Sequence, residues 1–393
     1  MNDARTKILW HVLRVLIAAV LIAYVVSQAT FRDSVRPAAP DEAPLPILRE
    51  SPAAVIVRAP DGTERVIQRE EFRPGGAVRI QGIFSIAARL ADRWGLALAA
   101  VAAMLFQQPF CAVRWRLLLG VQGIRITFME SLRLTYIGAF FSNWMPGATG
   151  GDVVKAYYIA RQTHRKTEAV TVVFLDRFVG LVALCMMGAA AVAVSFDDER
   201  VRVAQVVVLA FLGAVVAAGV VFYSGRIRSF LHVGRFFYRL KLWPMVARVE
   251  RALFVYRDHK RRVAAAVAAS WLVQAAGVLA IWWVAAALGS RAAWYQYFVN
   301  MPVVWIGWSF VPVPGGFGVA EALVQRLFGP DVLGGGAAMA PAEAATLALA
   351  MILAYRVVQM VASLPGAVLY LARRTDVSAV RMRDEMEAPA ADA

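Results

Sequence analysis

Apolar residues lie in long blocks along this chain, separated by short polar or basic stretches. Six blocks predict full transmembrane helices: Val15 to Ser27, Gly95 to Val113, Ala169 to Phe196, Val203 to Gly225, Val263 to Ser290 and Thr346 to Leu371. Several exceed the about 18 residues that suggest a membrane span. Two further apolar blocks are broken. Leu134 to Pro146 would make about 20 Å of helix, too short for a hydrocarbon core of about 30 Å. It stops at Pro146-Gly147, crosses Ala148 and Thr149, and resumes at Gly150-Gly151-Asp152 as far as Ala160. Phe298 to Phe328 is broken in the same way by Pro312, Pro314, Gly315, Gly316 and Gly318. Proline and glycine end helices, and irregular backbone survives at membrane depth only where protein or water covers it. The pattern therefore predicts an all-α polytopic membrane protein with about six full transmembrane helices plus two re-entrant broken-helix hairpins. The hairpins enter from opposite faces, the arrangement of an inverted repeat.

The polar stretches set the expected orientation and the domain organisation. Arg5 and Lys7 precede the first block, as in a signal peptide, but Ser27-Gln28-Ala29 is a poor cleavage site, so residues 1–31 read as an uncleaved span. Residues 32–92 are rich in Pro, Arg, Asp and Glu and form an expected external insert. Within it, two apolar runs flank Pro60-Asp61-Gly62, a β-hairpin signal, and Ile83 to Trp94 has helical spacing suited to the membrane interface. Arg114, Arg116 and Arg125 are expected in a cytoplasmic loop, as are Arg161, Arg165 and Lys166. Residues 226–262 hold eleven Lys or Arg against Glu250 and Asp258 and predict amphipathic helices on the cytoplasmic leaflet. Asp197 to Arg202, Arg291 to Tyr297 and the Gly-rich residues 329–342 are expected outside. The membrane domain then covers 93–373, and 374–393 form a polar cytoplasmic tail. Both termini face the cytoplasm in this reading, and the expected location is a bacterial inner membrane.

Composition agrees. The chain has 393 residues, 60% hydrophobic and 18% charged, against about 25% charged in a soluble domain. Its net charge of +15 is concentrated between apolar blocks, so topology and anionic head groups account for it, and nucleic acid is not an expected partner. Cys111 and Cys185 both lie in apolar runs and read as small buried hydrophobes. The four histidines show no metal-ligand spacing, and neither a metal nor a cofactor is expected.

Candidate chemistry gathers where charge meets the membrane. A helix starting at Thr149, Gly150, Gly151 and Asp152 offers free N–H groups and a positive dipole end to an anion, with Lys155 on the face of Asp152. An ordinary surface loop is the plain alternative, with Asp152 as an N-cap. The P-loop match is weak, because Gly147 to Lys155 lacks the Gly-Lys-Ser/Thr ending and no strand pattern precedes it. Asp176-Arg177 and Arg356 are costly charges within spans, to be read as functional or as structural ion pairs. Adjacent helical residues point about 100° apart, so Asp176 and Arg177 should pair with other groups rather than with each other. Glu321 is the expected partner of Arg356. Asn143 completes the set of polar groups expected between the two hairpin tips.

At these residues the chain resembles the flippase-like transmembrane region of lysylphosphatidylglycerol synthases, a family that also includes stand-alone membrane proteins. The resemblance runs from about 95 to 372. It rests on Arg116-Leu117-Leu118-Leu119, on Gly138-Ala139-Phe140-Phe141 through Pro146 to Asp152 and Lys155, on Asp176-Arg177 with Gly180, and on Pro312-Val313-Pro314-Gly315-Gly316 through Gly318 and Glu321. It implies a domain that moves a phospholipid or related anionic lipid between leaflets. Full-length synthases carry a soluble domain that transfers lysine from lysyl-tRNA. About 20 residues follow the last span here, so that enzyme activity is not expected.

The expected function is thus lipid translocation, with phospholipid as partner and a homo-oligomer left open. Phosphate would be held by the helix start with Lys155, Arg177 and Arg356, and cationic groups by Asp152, Asp176 and Glu321. One alternative is a transferase with a polyprenyl-phosphate donor, for which Asp33, Asp41 and Glu42 are candidate acids. The other is a non-transporting membrane scaffold.

Overall fold

A computed structural model describes residues 33–36, 45–51, 53–68, 78–80, 83–144, 150–163, 166–223, 255–310, 319–336, 339 and 341–372. The expected first span, the acids Asp41 and Glu42, both Pro/Gly breaks (Pro146, Gly147 and Thr149; Pro312, Pro314, Gly315 and Gly316), most of the 226–262 segment and the tail lie outside the described residues.

The insert folds as a sheet before the membrane helices begin. Its strands are β1 (Ser34–Arg36), β2 (Leu45–Glu50), β3 (Ala54–Arg58), β4 (Glu64–Gln68) and β5 (Val78–Ile80), in the spatial order β4-β3-β2-β1-β5. Every pairing is antiparallel. The turn at Pro60-Asp61-Gly62 joins β3 and β4, and Gly62 takes φ 86°, a conformation that side chains disfavour. The expected hairpin is present but is not alone, because a lone hairpin is marginal in water. Val55 and Val57 alternate onto one face and meet Val35, Leu45 and Ile67 in a small core.

Helix α1 (Ile83–Asp92) leads into α2 (Trp94–Val121), and the long helices α5 (Lys166–Val194), α6 (Arg202–Tyr223), α7 (Lys260–Leu288) and α11 (Pro341–Ala372) complete the bundle. These five long helices correspond to five segments apolar and long enough to cross a membrane. The all-α polytopic membrane fold read from the apolar blocks is therefore the observed one. Helix α7 lies along α2, and α11, α5 and α8 (Trp294–Phe310) surround that pair. Their shared core includes Met104, Leu184, Ile281, Val304 and Met351. Cys185 is buried in it, whereas Cys111 is only half-buried, and both are free thiols.

Several boundaries differ from expectation for local reasons. Helix α2 does not stop at Val113 but carries Arg114 and Arg116 to Val121. Its last carbonyls find partners: Ile124 donates to Leu119 O at 3.0 Å, Tyr256 Oη to Leu118 O at 2.9 Å and Arg262 to Gly120 O at 2.9 Å. At the other end of the bundle, α7 finishes at Gly289 (φ 101°), and Arg93 and Arg89 of the α1–α2 corner donate to Ala286 O and Leu288 O. Trp294 to Tyr297 are helical rather than loop, and α10 (Pro330–Leu333) sits in the expected Gly-rich loop because Val332 and Leu333 are buried.

The broken blocks form two pairs of shorter helices. Helix α3 (Phe128–Trp144) starts earlier than Leu134 because Thr127 caps it, its hydroxyl accepting from Glu130 N at 3.1 Å. It packs on α4 (Gly150–Thr163). Helix α8 packs on α9 (Val319–Leu327) in the same way, with Asn300 donating to Leu327 O. The α3–α4 pair leaves from the end of the bundle where α2 finishes, and the α8–α9 pair from the end where α7 finishes. They point into the bundle from opposite ends. Both meet α11: Trp144 donates to Ser363 Oγ at 3.2 Å, and Arg356 to Glu321 at 3.0 Å. Ser363 and Arg356 are about 10 Å apart along that helix at 1.5 Å per residue.

Candidate functional site

The start of α4 is pressed into α3. A Cβ on Gly151 would overlap the Gly138 carbonyl oxygen and crowd Ser142, and a Cβ on Gly138 would lie 3.1 Å from the Lys155 chain. Two glycines facing each other let the backbones approach as small residues do between membrane helices. Gly151, expected at the lipid-binding helix start, is thus packed directly against α3. Gly150 beside it is half-buried.

That close approach brings the ionisable groups of α4 onto those of α5. Asp152 accepts from Arg177 Nε at 2.7 Å and lies 3.0 Å from Lys155 Nζ. Lys155 Nζ also lies 4.0 Å from Asp176 and stands 4.6 Å over the Trp115 ring, a cation–π contact. Asp176 receives both arms of Arg114, Nε to Oδ1 at 2.6 Å and Nη2 to Oδ2 at 2.9 Å. Arg114 Nη1 continues to Ser270 Oγ at 3.2 Å, and that hydroxyl donates to Ala266 O. Asp176 and Arg177 thus pair with different groups, as their angular separation requires.

The result is a chain of alternating charge running α7–α2–α5–α4–α5: Ser270, Arg114, Asp176, Lys155, Asp152, Arg177. Three cations face two carboxylates, leaving one net positive charge. Most of it is withdrawn from water. Side-chain exposure is 12% for Arg114 and Lys155, 7% for Asp176 and 14% for Asp152, but 47% for Arg177. Arg177 is therefore the most accessible cation of the chain. Gly180, one turn beyond Asp176, leaves room for Arg114, whose Nη1 would be 3.3 Å from a Cβ there. By helix rise, the cluster sits about 10–15 Å inside the end where α2 finishes.

The remaining candidates divide. Glu321 and Arg356 form their own pair at 3.0 Å, with side chains 15% and 13% exposed. Arg356 is near the middle of α11 and Glu321 is in the first turn of α9. Asn143 Nδ2 donates to Ala139 O at 3.0 Å in its own helix. Sequence reasoning missed Arg114, Trp115 and Ser270. It placed Arg114 in a loop because a charge conventionally ends an apolar block. The available signal was Asp176, which needed a cation that Arg177 could not supply. Among the described residues no group of His, Cys, Asp or Glu is placed to hold a metal ion.

No curated protein matches this chain. The sequence does match the family described as Lysylphosphatidylglycerol synthase TM region over residues 77–366, a stretch that holds both helix pairs and the whole charge chain. With five long apolar helices and that match, the protein is an integral membrane protein with a lipid-related role, and it belongs to the lysylphosphatidylglycerol synthase TM region family.

Proposed function

We propose that the protein is a lipid translocase, not an enzyme, that passes the head group of a phospholipid or related anionic lipid between leaflets while the acyl chains stay in the bilayer. The observation that carries this reading is the largely buried charge chain, net positive among the described residues, whose most accessible cation is the half-exposed Arg177. A lipid phosphate can reach that guanidinium, because Arg177 is 47% exposed, and Asp152 keeps Lys155 at 3.0 Å when the arginine turns away. Arg114 cannot be taken in the same way. It is held bidentate in a buried site, where breaking one side costs roughly 3–5 kcal/mol. Arg114 and Asp176 are then the fixed frame, and Arg177, with Asp152 and Lys155, is the exchanging part. The family supports a lipid substrate, and positive-inside charge supports a bacterial inner membrane with cytoplasmic termini.

The test is a dithionite-quench assay in liposomes holding the purified protein and fluorescent phosphatidylglycerol. Label should move between leaflets with the unaltered protein and should slow at least about tenfold in Arg177→Gln, whose folding the exposure of Arg177 leaves intact. No movement with phosphatidylglycerol, phosphatidylethanolamine or phosphatidylcholine would sink the translocase reading.

A further inference from the structure

Arg177 stands on an apolar face of α5 that meets the bilayer. Val170, Phe174, Arg177 and Phe178 recur at the spacing of one helical face, and all four side chains are exposed. On α4, Val153 beside Asp152 is exposed as well. Helix α5 is one of the long apolar helices that cross the membrane, so an open apolar face on it looks onto acyl chains.

Depth makes that exposure unfavourable for a cation. Centred on a hydrocarbon core of about 30 Å, α5, at about 43 Å, sets Arg177 roughly 10 Å below the nearer head groups. A guanidinium at that level needs its charge met. Asp152 meets it only in part, because the same carboxylate faces Lys155 at 3.0 Å and the chain keeps one net positive charge among the described residues. A phospholipid with one net negative charge closes that balance, and a zwitterionic one leaves it open.

We infer that an anionic phospholipid docks from the side of the bundle, its phosphate on Arg177 at the seam of α4 and α5 and its acyl chains along Phe174 and Phe178. The head group then reaches the charge chain laterally, from within the leaflet. This deepens the translocase reading and rests on its choice of Arg177 as the exchanging cation, but docking itself needs no transport.

The test is photo-cross-linking at equilibrium. p-Benzoylphenylalanine replaces Phe178 in one sample. In the control it replaces Phe106, which is exposed in the charge-free part of α2. Each protein is illuminated in phosphatidylcholine liposomes holding a minor fraction of phosphatidylglycerol, and the attached lipids are identified by mass spectrometry. At position 178 phosphatidylglycerol should be enriched about fivefold over its share of the membrane, the preference that one cation gives an anionic lipid. At position 106 the two lipids should appear in their bulk ratio. Arg177→Gln should abolish the enrichment, and Arg177→Lys should retain it. A bulk ratio at position 178, an enrichment that survives Arg177→Gln, or cross-links to a second copy of the chain in place of lipid overturns the proposal. Enrichment in a protein that moves no label in the dithionite assay supports docking while removing the translocase reading, and a bulk ratio in a protein that does move label overturns lateral docking alone.

Discussion

Asp176→Asn isolates what the buried frame contributes. The substitution keeps size and one acceptor but removes the charge that neutralises Arg114, whose side chain is 12% exposed and whose Nε and Nη2 both rest on this carboxylate. The cluster then holds three cations against Asp152 alone. Leaving one member of a buried pair uncompensated costs roughly 3–5 kcal/mol, a factor of about 10² to 10⁴ in the folding equilibrium. Arg177→Gln changes charge by the same amount at 47% exposure and should cost only about 0.2–1 kcal/mol. Reversible unfolding in dodecyl maltoside titrated with dodecyl sulfate measures both. Asp176→Asn combined with Arg114→Gln should recover stability, with a coupling of about 2 kcal/mol or more between the two sites. A loss below about 1 kcal/mol for Asp176→Asn, with coupling under about 0.5 kcal/mol, would refute the division into a fixed frame and an exchanging cation.

Two further predictions use the same unfolding assay. Gly151→Ala should destabilise by about 1–3 kcal/mol through overpacking against the Gly138 carbonyl, whereas Gly213→Ala, in a helix with nothing near its Cβ, should be neutral or stabilising by about 0.5–1 kcal/mol; the reverse order would show that α3 and α4 are not in contact. Partial burial pushes the Asp198 carboxyl up, but hydrogen bonds from Arg200, Gln296 and Tyr295 outweigh it and hold the group at about 2, below its ordinary 3.8. Its folded value is depressed, so its contribution is complete above about 4, declines as pH falls and is gone below about 2. Asp198→Asn should therefore flatten the acid limb of the stability curve between those values and leave the slope from pH 5 to 8 unchanged, and a change confined to neutral pH would count against these hydrogen bonds.

The Pro/Gly breaks themselves illustrate how a residue pattern becomes geometry. Pro146-Gly147 ends an apolar block too short to span, Pro312 to Gly316 interrupts a longer one, and the structure has paired short helices on either side of each. That much follows from chain chemistry, because a missing N–H and a missing Cβ act locally. The insert was half legible: the β3–β4 turn could be read, but β1, β2 and β5 could not, since strand pairing between Ser34 and Ile80 is a long-range choice that no short window contains.

The membrane class, the five described spans, the two broken blocks, the Lys155 contact of Asp152 and the Glu321 partner of Arg356 could all be read from the residues. Each depends on hydropathy, on a helical period or on neighbouring elements. Helix packing was needed to set Arg114 inside a helix and against Asp176, 62 positions away, and to press Gly151 onto the Gly138 carbonyl. The physical reason is that an intramembrane charge is tolerable wherever a counter-charge is placed against it, and which helix supplies the counter-charge is settled by how the helices pack.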